Sequence, residues 1–233
     1  HGIRENLRGE LVIPLRDADR ALWNVQTIAA DGTKRYLAGA RKNGTHYALG
    51  DARPGAPRVF AEGFATAAAF REDTGAAVVM ALDTSNLPHV ARAYREREPG
   101  KPFLIAADND AHLPLRPVEP GRLPKDNAGL AAADKTAREV GATILAPPDI
   151  AVRTAADKGT DWQDYREALG PGSIAARARS MLDDLTRKGR EMSETAADPF
   201  DRAAAFVRAE NRATTKSLQD GLGLSFNEAS KMM

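Results

Sequence analysis

A regular alternation of short apolar runs and amphipathic segments between residues 58 and 150 constrains the fold of this chain more than any other feature of its sequence. Runs of this kind favour strands that are buried on both faces, so the pattern is typical of a parallel sheet covered by helices on both sides. In such open sheets, ligands bind beyond the carboxyl ends of the strands. The predicted strands are RVFAEG, AAVVMAL, PFLIAAD and ATILAPP, and the predicted helices are FATAAAFREDTG, NLPHVARAYREREPG and NAGLAAADKTAREVG.

The segments on either side of this region follow different patterns. Before it, short apolar pieces alternate with turn formers, and the dipeptides Asp31-Gly32 and Asn43-Gly44 predict hairpins. The segment DARPGAP is rich in Pro and Gly and predicts a linker. After about residue 170 the sequence predicts helices alone. We therefore predict an α/β chain with three parts: a small β-rich N-terminal subdomain at residues 1–57, a mostly parallel sheet with helices on both faces at residues 58–170, and a helical C-terminal region at residues 171–233.

Composition excludes several classes of protein. The 33 Lys and Arg residues nearly balance the 32 Asp and Glu residues, so a nucleic-acid interface must rest on local patches of charge. The absence of cysteine excludes disulfides and Cys-ligated zinc. No run approaches the roughly 18 apolar residues of a membrane helix, so we expect a cytoplasmic protein with no membrane partner. The sequence begins at His1-Gly2 without an initiator Met and ends at Met233 inside a predicted helix, so we expect a part of a longer polypeptide.

Three acidic residues follow two of the predicted strands. Glu62 comes directly after the first strand, and Asp108 and Asp110 follow the third. Side chains two positions apart on a strand point the same way, so the two aspartates would crowd one place if the strand continues that far. Like charges at that distance repel unless a proton or cation intervenes, and such oxygen ligands suit Mg²⁺ or Mn²⁺. Gly63 is expected to allow a tight turn and the close approach of a phosphate or metal, although solvated loops remain the alternative for all these residues.

These motifs resemble the Toprim domain that bacterial-type primases, type IA and II topoisomerases and some nucleases share. VFAEGFATA and LIAADND match the family's Glu-Gly after one strand and Asp-x-Asp after another. The resemblance covers about residues 58 to 165 and is closest to primases of plasmids, conjugative elements and phages. A further acidic segment, GTDWQDYREALG, resembles the acids that follow the last Toprim strand in primases. The acids that the resemblance implies are Glu62, Asp108 and Asp110 as catalytic and metal-binding residues, with Asp161 and Asp164 as further metal ligands.

The N-terminal segment resembles the subdomain that precedes the Toprim domain in bacterial primases. In GELVIPLRDADRALWNVQTIAADGTKRYLAG, the resemblance assigns Arg16, Lys34 and Arg35 to the template and nucleotides. Lys and Arg beside a metal site neutralise the phosphates of a single strand, although Lys34 and Arg35 are alternatively solvated hairpin residues. Replicative bacterial primases have an acid four residues after the motif Glu, where this chain has Thr66. One metal is therefore expected to be held differently or less tightly.

Other polar and aromatic residues have more than one interpretation. Asp83 and Asn86 follow the second strand of the parallel region and are candidates to position nucleotide or water. Capping of the next helix by Ser85 or Asn86 is an equally good interpretation. The rings of Trp23 and Trp162 are candidates for stacking on bases, although filling of the core is more common.

The C-terminal region carries a shorter resemblance. The segment ATTKSLQDGLGLSFNEASKMM predicts helix, turn and helix, with Ser225 and Glu228 as a capping box. It resembles the beginning of the winged-helix domain of septal DNA translocases. The helix that opens this region should pack on another part of the protein through one apolar stripe. That stripe consists of Ile174, Ala178, Met181, Leu182 and Leu185.

Together these features predict the catalytic core of a DNA primase, which makes short primers on single-stranded DNA by metal-dependent nucleotidyl transfer. The resemblance implies Mg²⁺ or Mn²⁺ as cofactor, nucleoside triphosphates and a single-stranded DNA template as partners, and helicase or relaxase modules in the same or a partner chain. Two alternatives remain open: a Toprim nuclease that uses the same acids to activate water, and a nucleic-acid-binding module with a vestigial Toprim site. The basic N-terminal subdomain favours the primase, whereas Thr66 and the incomplete winged helix favour the vestigial site.

Overall fold

The structure is a computed structural model, and it divides the chain into two compact units, His1–Gly189 and Arg190–Met233. It describes residues 2–111, 113, 127–148, 161–196, 225 and 227, with the side chains of residues 194–196 excepted. Apart from Ser225 and Asn227, the predicted C-terminal helix-turn-helix, including its Glu228, lies outside the described residues. No helix in the described part of the chain combines the length and the apolar character needed to cross a bilayer.

A four-stranded antiparallel sheet forms the N-terminal part of the first unit, and its strands pair in the order of the chain. The turn at Asp31-Gly32 joins the third and fourth strands as predicted, with Gly32 in the left-handed region at φ 81°. Strand alternation directs Ile13 and Leu15 into the core, where both are fully buried. The bounds are β1 (Arg4–Glu5), β2 (Leu11–Arg16), β3 (Leu22–Ile28) and β4 (Lys34–Tyr36).

A second sheet of five strands has the order β5-β7-β6-β8-β9, in which β5 is antiparallel and the other four strands are parallel. Its parallel strands and their connecting helices lie where the alternation of the sequence predicts them. The strands are β5 (Tyr47–Leu49), β6 (Arg58–Ala61), β7 (Val78–Met80), β8 (Phe103–Ala106) and β9 (Ala142–Leu145), and the helices are α1 (Phe64–Thr74), α2 (Leu87–Arg97), α3 (Ala128–Val140), α4 (Trp162–Leu169) and α5 (Ser173–Ala196).

Helices cover both faces of the second sheet, which confirms the predicted fold class. Phe70 of α1, Trp162 of α4 and Ile174 of α5 are fully buried in the core on one face, together with the inward residues of β2. Val90 of α2 and Ala133 of α3 are buried in the core on the other face. Each large apolar side chain buried in this way stabilises the fold by about 1.5–3 kcal/mol.

The prediction of a hairpin at Asn43-Gly44 is wrong. Residues 42–45 form a turn, in which Thr45 N–H donates to the Lys42 carbonyl, but the strand that follows pairs with β7. Asn86, at the start of α2, accepts the Gly44 N–H at 2.7 Å and so holds this turn against the second sheet. The two sheets are also joined by a bridge between Arg16 and His46. A domain boundary at residue 57 stays a prediction. The strand β5 lies before residue 57 but belongs to the second sheet.

The apolar stripe of α5 packs on the core as predicted. Ile174 and Ala178 are fully buried, and Met181, Leu182 and Leu185 pack against the same core. The helical spacing of these residues was therefore sufficient to identify the face that is buried.

Candidate active site

The parallel strands of the second sheet end at one level. Ala61, the last residue of β6, lies opposite Met80 of β7 and Ala106 of β8, and Ala106 lies opposite Leu145 of β9. The residues that follow these strands therefore lie along one edge of the sheet, where open α/β sheets bind ligands.

Glu62 begins the connection from β6 to α1 and interacts with charges from three other elements. Burial raises the pKa of Glu62 to about 7, and the negative charge of Asp110 adds to this effect. A hydrogen bond from the Thr84 backbone and the positive charge of Lys34 act in the opposite direction. Glu62, Asp110 and Lys34 thus belong to one electrostatic site.

Hydrogen bonds, rather than strand alternation, place the two aspartates, because β8 ends at Ala106. The buried hydroxyl of Thr66 donates to Asp108 Oδ1 at 2.7 Å, and Gly129 N–H donates to Asp110 Oδ2 at 2.9 Å. The expectation that Asp108 and Asp110 share one face of a strand would require β8 to continue to Asp110, and it does not. The carboxylates are instead directed by donors on α1 and α3.

The acids remain close enough to affect one another. Burial raises the pKa of Asp108 to about 8, and the charges of Glu62, Asp161 and Asp110 raise it in that order of effect. The hydrogen bond from Thr66 partly opposes this shift. Two of these acids would therefore hold protons near neutral pH, which is typical of carboxylates gathered at a functional site.

Asp161 and Asp164 form a capping box at the start of α4. Asp164 N–H donates to Asp161 Oδ1 at 2.9 Å, and Asp161 N–H donates to Asp164 Oδ2 at 3.3 Å. The fully buried ring of Trp162, which packs edge-to-face on Phe70, anchors this end of the helix. Burial raises the pKa of Asp161, and the charge of Asp164 raises it further. The Asp161 carboxylate, which is the N-cap of α4, thus lies close enough to the other acids to raise the pKa of Asp108, whereas the Asp164 carboxylate accepts the Asp161 N–H.

Of the three predicted basic residues, Lys34 lies at the acidic edge. Its charge acts on both Glu62 and Asp161. Neighbouring residues on a strand point to opposite faces, and Arg35 accordingly forms an ion pair with Glu10, at 3.1 Å. Arg16 lines a separate cavity beside the β2–β3 turn.

The turn at Gly63 does not need a glycine. Its backbone, at φ −103° and ψ 166°, has an extended conformation that any residue adopts. A Cβ atom at this position would meet Lys34 Nζ at 3.6 Å, an ordinary contact. The protein itself does not require glycine here, so close approach of a ligand is the remaining reason for it.

A network of amides fixes the Asp-x-Asp segment, and sequence reasoning missed it. Asn127, the N-cap of α3, accepts from the Asp110 N–H at 3.0 Å and from the Leu130 N–H at 3.1 Å. Its Nδ2 donates to Asn109 Oδ1 at 2.7 Å, and Asn109 Nδ2 donates to the Pro147 carbonyl at 3.1 Å. The sequence Asn-Ala-Gly at the start of α3 is a recognisable N-cap signal. Its contact with the acidic segment could not be recognised from the sequence.

The second strand's polar residues are also differently placed than predicted. Asn86 is the N-cap residue of α2, but its side chain makes no capping hydrogen bond, and the Asp83 carboxylate accepts the Asn86 N–H at 2.9 Å. The buried Asn86 Nδ2 donates instead to the carbonyls of Thr45 and Ala81. Lys42 forms an ion pair with Asp83 and lies over the Tyr36 ring, 4.4 Å from its centroid.

Gly129→Ala is expected to displace the acidic segment. A Cβ atom at Gly129 would lie 2.4 Å from the Asp108 carbonyl oxygen and 3.2 Å from Asp110 Oδ2. A backbone oxygen cannot rotate away, so we expect overpacking to lower the free energy of unfolding by about 1–3 kcal/mol, less the roughly 1 kcal/mol that Ala gains over Gly in a helix. Urea denaturation measures this. Ala128→Ser adds one atom on the exposed side of the same turn and should change little; equal effects of the two substitutions would contradict the prediction.

The donor chemistry of this edge fits a hard divalent cation, although the carboxylates do not surround one point. No group of three or more His, Cys, Asp or Glu side chains within the described residues has the spacing to hold a metal. Burial and mutual repulsion nevertheless raise the pKa of Glu62 and Asp108, and a bound cation would relieve that repulsion. To gather the oxygens around one cation, the carboxylates would have to rotate away from their present partners, Thr66 and Gly129.

A mostly parallel sheet with acids at its carboxyl edge is the arrangement of a Toprim domain. Residues 58–172 match the family model of the Toprim domain, so the chain contains a Toprim domain.

The chain is also similar to two proteins from Escherichia coli, both named DNA primase TraC. It is 42% identical to one over 127 residues, which cover 53% of this chain and 12% of that protein. It is 38% identical to the other over 138 residues, which cover 58% of this chain and 9% of that protein. The chain therefore matches only about a tenth of the length of either relative.

One solved structure with partial similarity is a DNA primase domain from Pseudomonas aeruginosa. It shares 16% identity with this chain at a TM-score of 0.45, covering 99% of this chain and 76% of that one. At this TM-score, nothing about the chain is inferred from the likeness.

Proposed function

We propose that this chain contains the nucleotide-joining core of a DNA primase, which makes short oligonucleotides on a single-stranded DNA template by nucleotidyl transfer. The observation that carries the proposal is the coupling of Glu62, Asp108 and Asp110 at the carboxyl edge of the sheet, with Lys34 from the preceding sheet beside them. The similarity to proteins named DNA primase TraC supports it. Origin in a plasmid or other mobile element, and helicase or relaxase modules as partners, stay predictions.

Glu62, Asp108 and Asp110, with Asp161 as a further ligand, would hold Mg²⁺ or Mn²⁺ in this proposal. When bound, such ions neutralise triphosphate charge and assist attack of a hydroxyl on the α-phosphate. Asp164 is the weakest member of the proposed ligand set, because Asp161, and not Asp164, is among the charges that raise the pKa of Asp108.

The chain's own groups position the acids and the phosphates. Thr66 orients the Asp108 carboxylate, and the start of α3 orients that of Asp110. Lys34 provides positive charge next to Gly63, where the absence of a side chain leaves room for a phosphate. Arg16 and Arg35 lie away from this edge, so any contact that they make is with the template strand rather than with the reacting phosphates.

Millimolar Mn²⁺ is expected to raise the melting temperature of this chain. A ligand that binds only the folded state at a hundredfold excess over its Kd stabilises that state by about 2.7 kcal/mol, which corresponds to roughly 5–10 °C for a chain of this size. Thermal melts with and without Mn²⁺ measure the shift. Asp108→Asn with Asp110→Asn should abolish it, while Asp134→Asn, which alters an exposed acid on α3, should retain it. An equal shift in the double variant would exclude this edge as the site, and no shift in the wild type would favour a vestigial site.

Primer synthesis itself is tested with single-stranded template, Mn²⁺ and labelled nucleotides. The proposed function requires short oligomers whose formation depends on the template. Metal-dependent shortening of the template without oligomers would instead support the nuclease that uses the same acids to activate water.

A further inference from the structure

The two tryptophans of the chain have opposite environments. Trp162 is fully buried, whereas Trp23 on β3 is 44% exposed. The exposed indole is nevertheless held in place, because its Nε1–H donates to Asp17 Oδ2 at 2.6 Å and the Arg41 guanidinium lies 4.9 Å from the ring centroid. Asp17 and Arg41 also lie 3.8 Å apart, so three side chains fix one another. Trp23 therefore presents a large, orientated aromatic surface to solvent without contributing to the core.

A cavity of about 500 Å³ adjoins this tryptophan. Asp17, which holds the indole, lines the cavity together with Arg16, Arg20, His46 and residues from β5 and α2. Arg20 has a left-handed backbone at φ 67°, where glycine is usual, so an Arg is maintained here at a conformational cost.

The cavity carries more positive than negative charge. Four arginines line it, namely Arg16, Arg20, Arg58 and Arg97, against the three acids Asp17, Asp51 and Glu98. Arg58 pairs with Glu98, and Arg97 pairs with Asp19 outside the cavity. Within the described part of the chain, neither Arg16 nor Arg20 forms an ion pair, and the Arg16 guanidinium donates to the Arg20 carbonyl at 2.8 Å. Two guanidinium groups are thus available to an anion beside the exposed indole.

The loop after β4 connects this region with the acidic edge. Arg41 contacts Trp23, and the next residue, Lys42, pairs with Asp83, whose charge acts on Glu62. A polyanion on the tryptophan side would therefore pass basic residues of one continuous loop on its way to the proposed active site.

We propose that Trp23 is a stacking platform for a base of single-stranded nucleic acid, and that Arg16 and Arg20 in the adjoining cavity bind the phosphates of the same strand. The proposal rests on the proposed function and adds a contact site for the template outside the acidic edge. Aromatic rings next to guanidinium groups are the chemistry by which proteins bind single strands without reading their sequence. Leu22, the neighbour of Trp23 in the chain, is also exposed and would fit an apolar protein partner, but the unpaired arginines would not.

The test is binding of labelled oligo(dT) to the whole chain, with an abasic oligomer of equal length as a second probe. Stacking is worth about 1–3 kcal/mol per base, so Trp23→Ala should weaken oligo(dT) binding on the order of tenfold and leave abasic binding unchanged, while Trp23→Phe should retain most of the affinity. Oligo(dT), but not the abasic oligomer, should quench the fluorescence of Trp23, since Trp162 is buried. Leu169→Ala, which truncates another exposed apolar side chain, is the matched control and should bind as the wild type does.

The arginines are tested through salt dependence. Arg16→Ala with Arg20→Gly should reduce the slope of log Kobs against log salt by about 1.4, at about 0.7 per phosphate contact, and should weaken both oligomers. Glycine at position 20 relieves the left-handed backbone, so lost binding would not reflect unfolding. Arg177→Ala with Arg179→Ala, on an exposed face of α5, is the charge-matched control and should leave the slope unchanged.

Several results would overturn the proposal. One is an equal affinity of the wild type and Trp23→Ala for oligo(dT). Another is a loss of affinity in Trp23→Ala that is as large for the abasic oligomer as for oligo(dT). The third is a wild type that binds neither oligomer. The Mn²⁺ melts and the primer assay decide the proposed function separately. If strand binding requires Trp23 but Mn²⁺ does not raise the melting temperature and no oligomers form, the stacking platform is supported and the primase function is rejected.

Discussion

Replacing Asp108 with Asn, or Glu62 with Gln, is expected to abolish the joining of nucleotides on a single-stranded template. Both substitutions keep the shape of the side chain and remove a carboxyl that could ionise to bind a cation at the edge where the acids interact. Loss of groups that only support a metal ligand typically reduces metal affinity or activity by about 10–100-fold, so loss of a proposed ligand should reduce the rate by more than that. The yield of short labelled oligomers in Mn²⁺ measures the effect.

The same variants separate catalysis from folding and from strand binding. An amide in place of the Asp108 carboxyl still accepts the Thr66 hydroxyl, so the fold should persist. Binding of oligo(dT) should stay near the wild-type level in Glu62→Gln, because the proposed template contacts lie elsewhere. Asp134→Asn, an exposed acid paired with Arg138, should retain full activity. Oligomer synthesis at the wild-type rate by folded Glu62→Gln and Asp108→Asn proteins would reject the proposed active site.

The sequence predicted the parallel sheet because its strands are buried on both faces and therefore read as uninterrupted apolar runs. It did not predict the partner of β5, a strand of three residues. A short strand after a turn dipeptide fits a hairpin locally, and the choice of β7 instead depends on Asn86, which lies 42 residues beyond the Gly44 it binds. Long-range hydrogen bonds of this kind leave no local pattern.

At the candidate site, the positions of Glu62, Asp108 and Asp110 just after predicted strands were sufficient to predict that they lie near one another at one edge of the sheet. The orientation of the basic residues was partly available as well, since alternation along β4 already separates Lys34 from Arg35. The hydrogen bonds that hold Asp110 could not be predicted from the sequence. They come from Asn127 and Gly129, which are distant in the chain and are not linked to Asp110 by any local sequence pattern. Predicted roles for individual acids thus rest on the motif, whereas their geometry rests on tertiary contacts.

In the absence of metal, the protein is expected to become less stable as the pH rises from about 6.5 to 9. The folded state holds the Glu62 proton up to a pKa of about 7 and the Asp108 proton up to a pKa of about 8, whereas ordinary values are 4.5 and 3.8. The folded state therefore binds more protons than the unfolded state in this range, and the free energy of unfolding falls as the pH rises. Each pH unit over which one carboxyl retains its extra proton is worth at most about 1.4 kcal/mol, or roughly 3–6 °C in melting temperature.

The window begins at pH 6.5 because His46 acts in the opposite direction below it. Burial lowers the pKa of His46 from 6.5 to about 4, so between these values the unfolded state binds one extra proton at this residue, which offsets part of the decline that the two carboxyls cause. Above about pH 6.5 this opposing contribution is lost, and the carboxyls alone set the pH dependence that we expect from these groups. Melting curves in EDTA at pH 6.5, 7.5 and 9 would isolate their contribution.

Glu62→Gln combined with Asp108→Asn should flatten this decline and make the variant more stable than the wild type at pH 9 without metal. Mn²⁺ should reverse that order, since its ligands must be deprotonated and its stabilising effect on the wild type should therefore grow with pH. Asp134→Asn should follow the wild-type curve, because its carboxylate is exposed and lies outside the coupled group. A wild-type melting temperature that stays constant or rises between pH 6.5 and 9 in EDTA would show that burial and neighbouring charge do not raise the pKa values of these carboxyls in the folded protein, and the electrostatic argument for a cation site at this edge would fail.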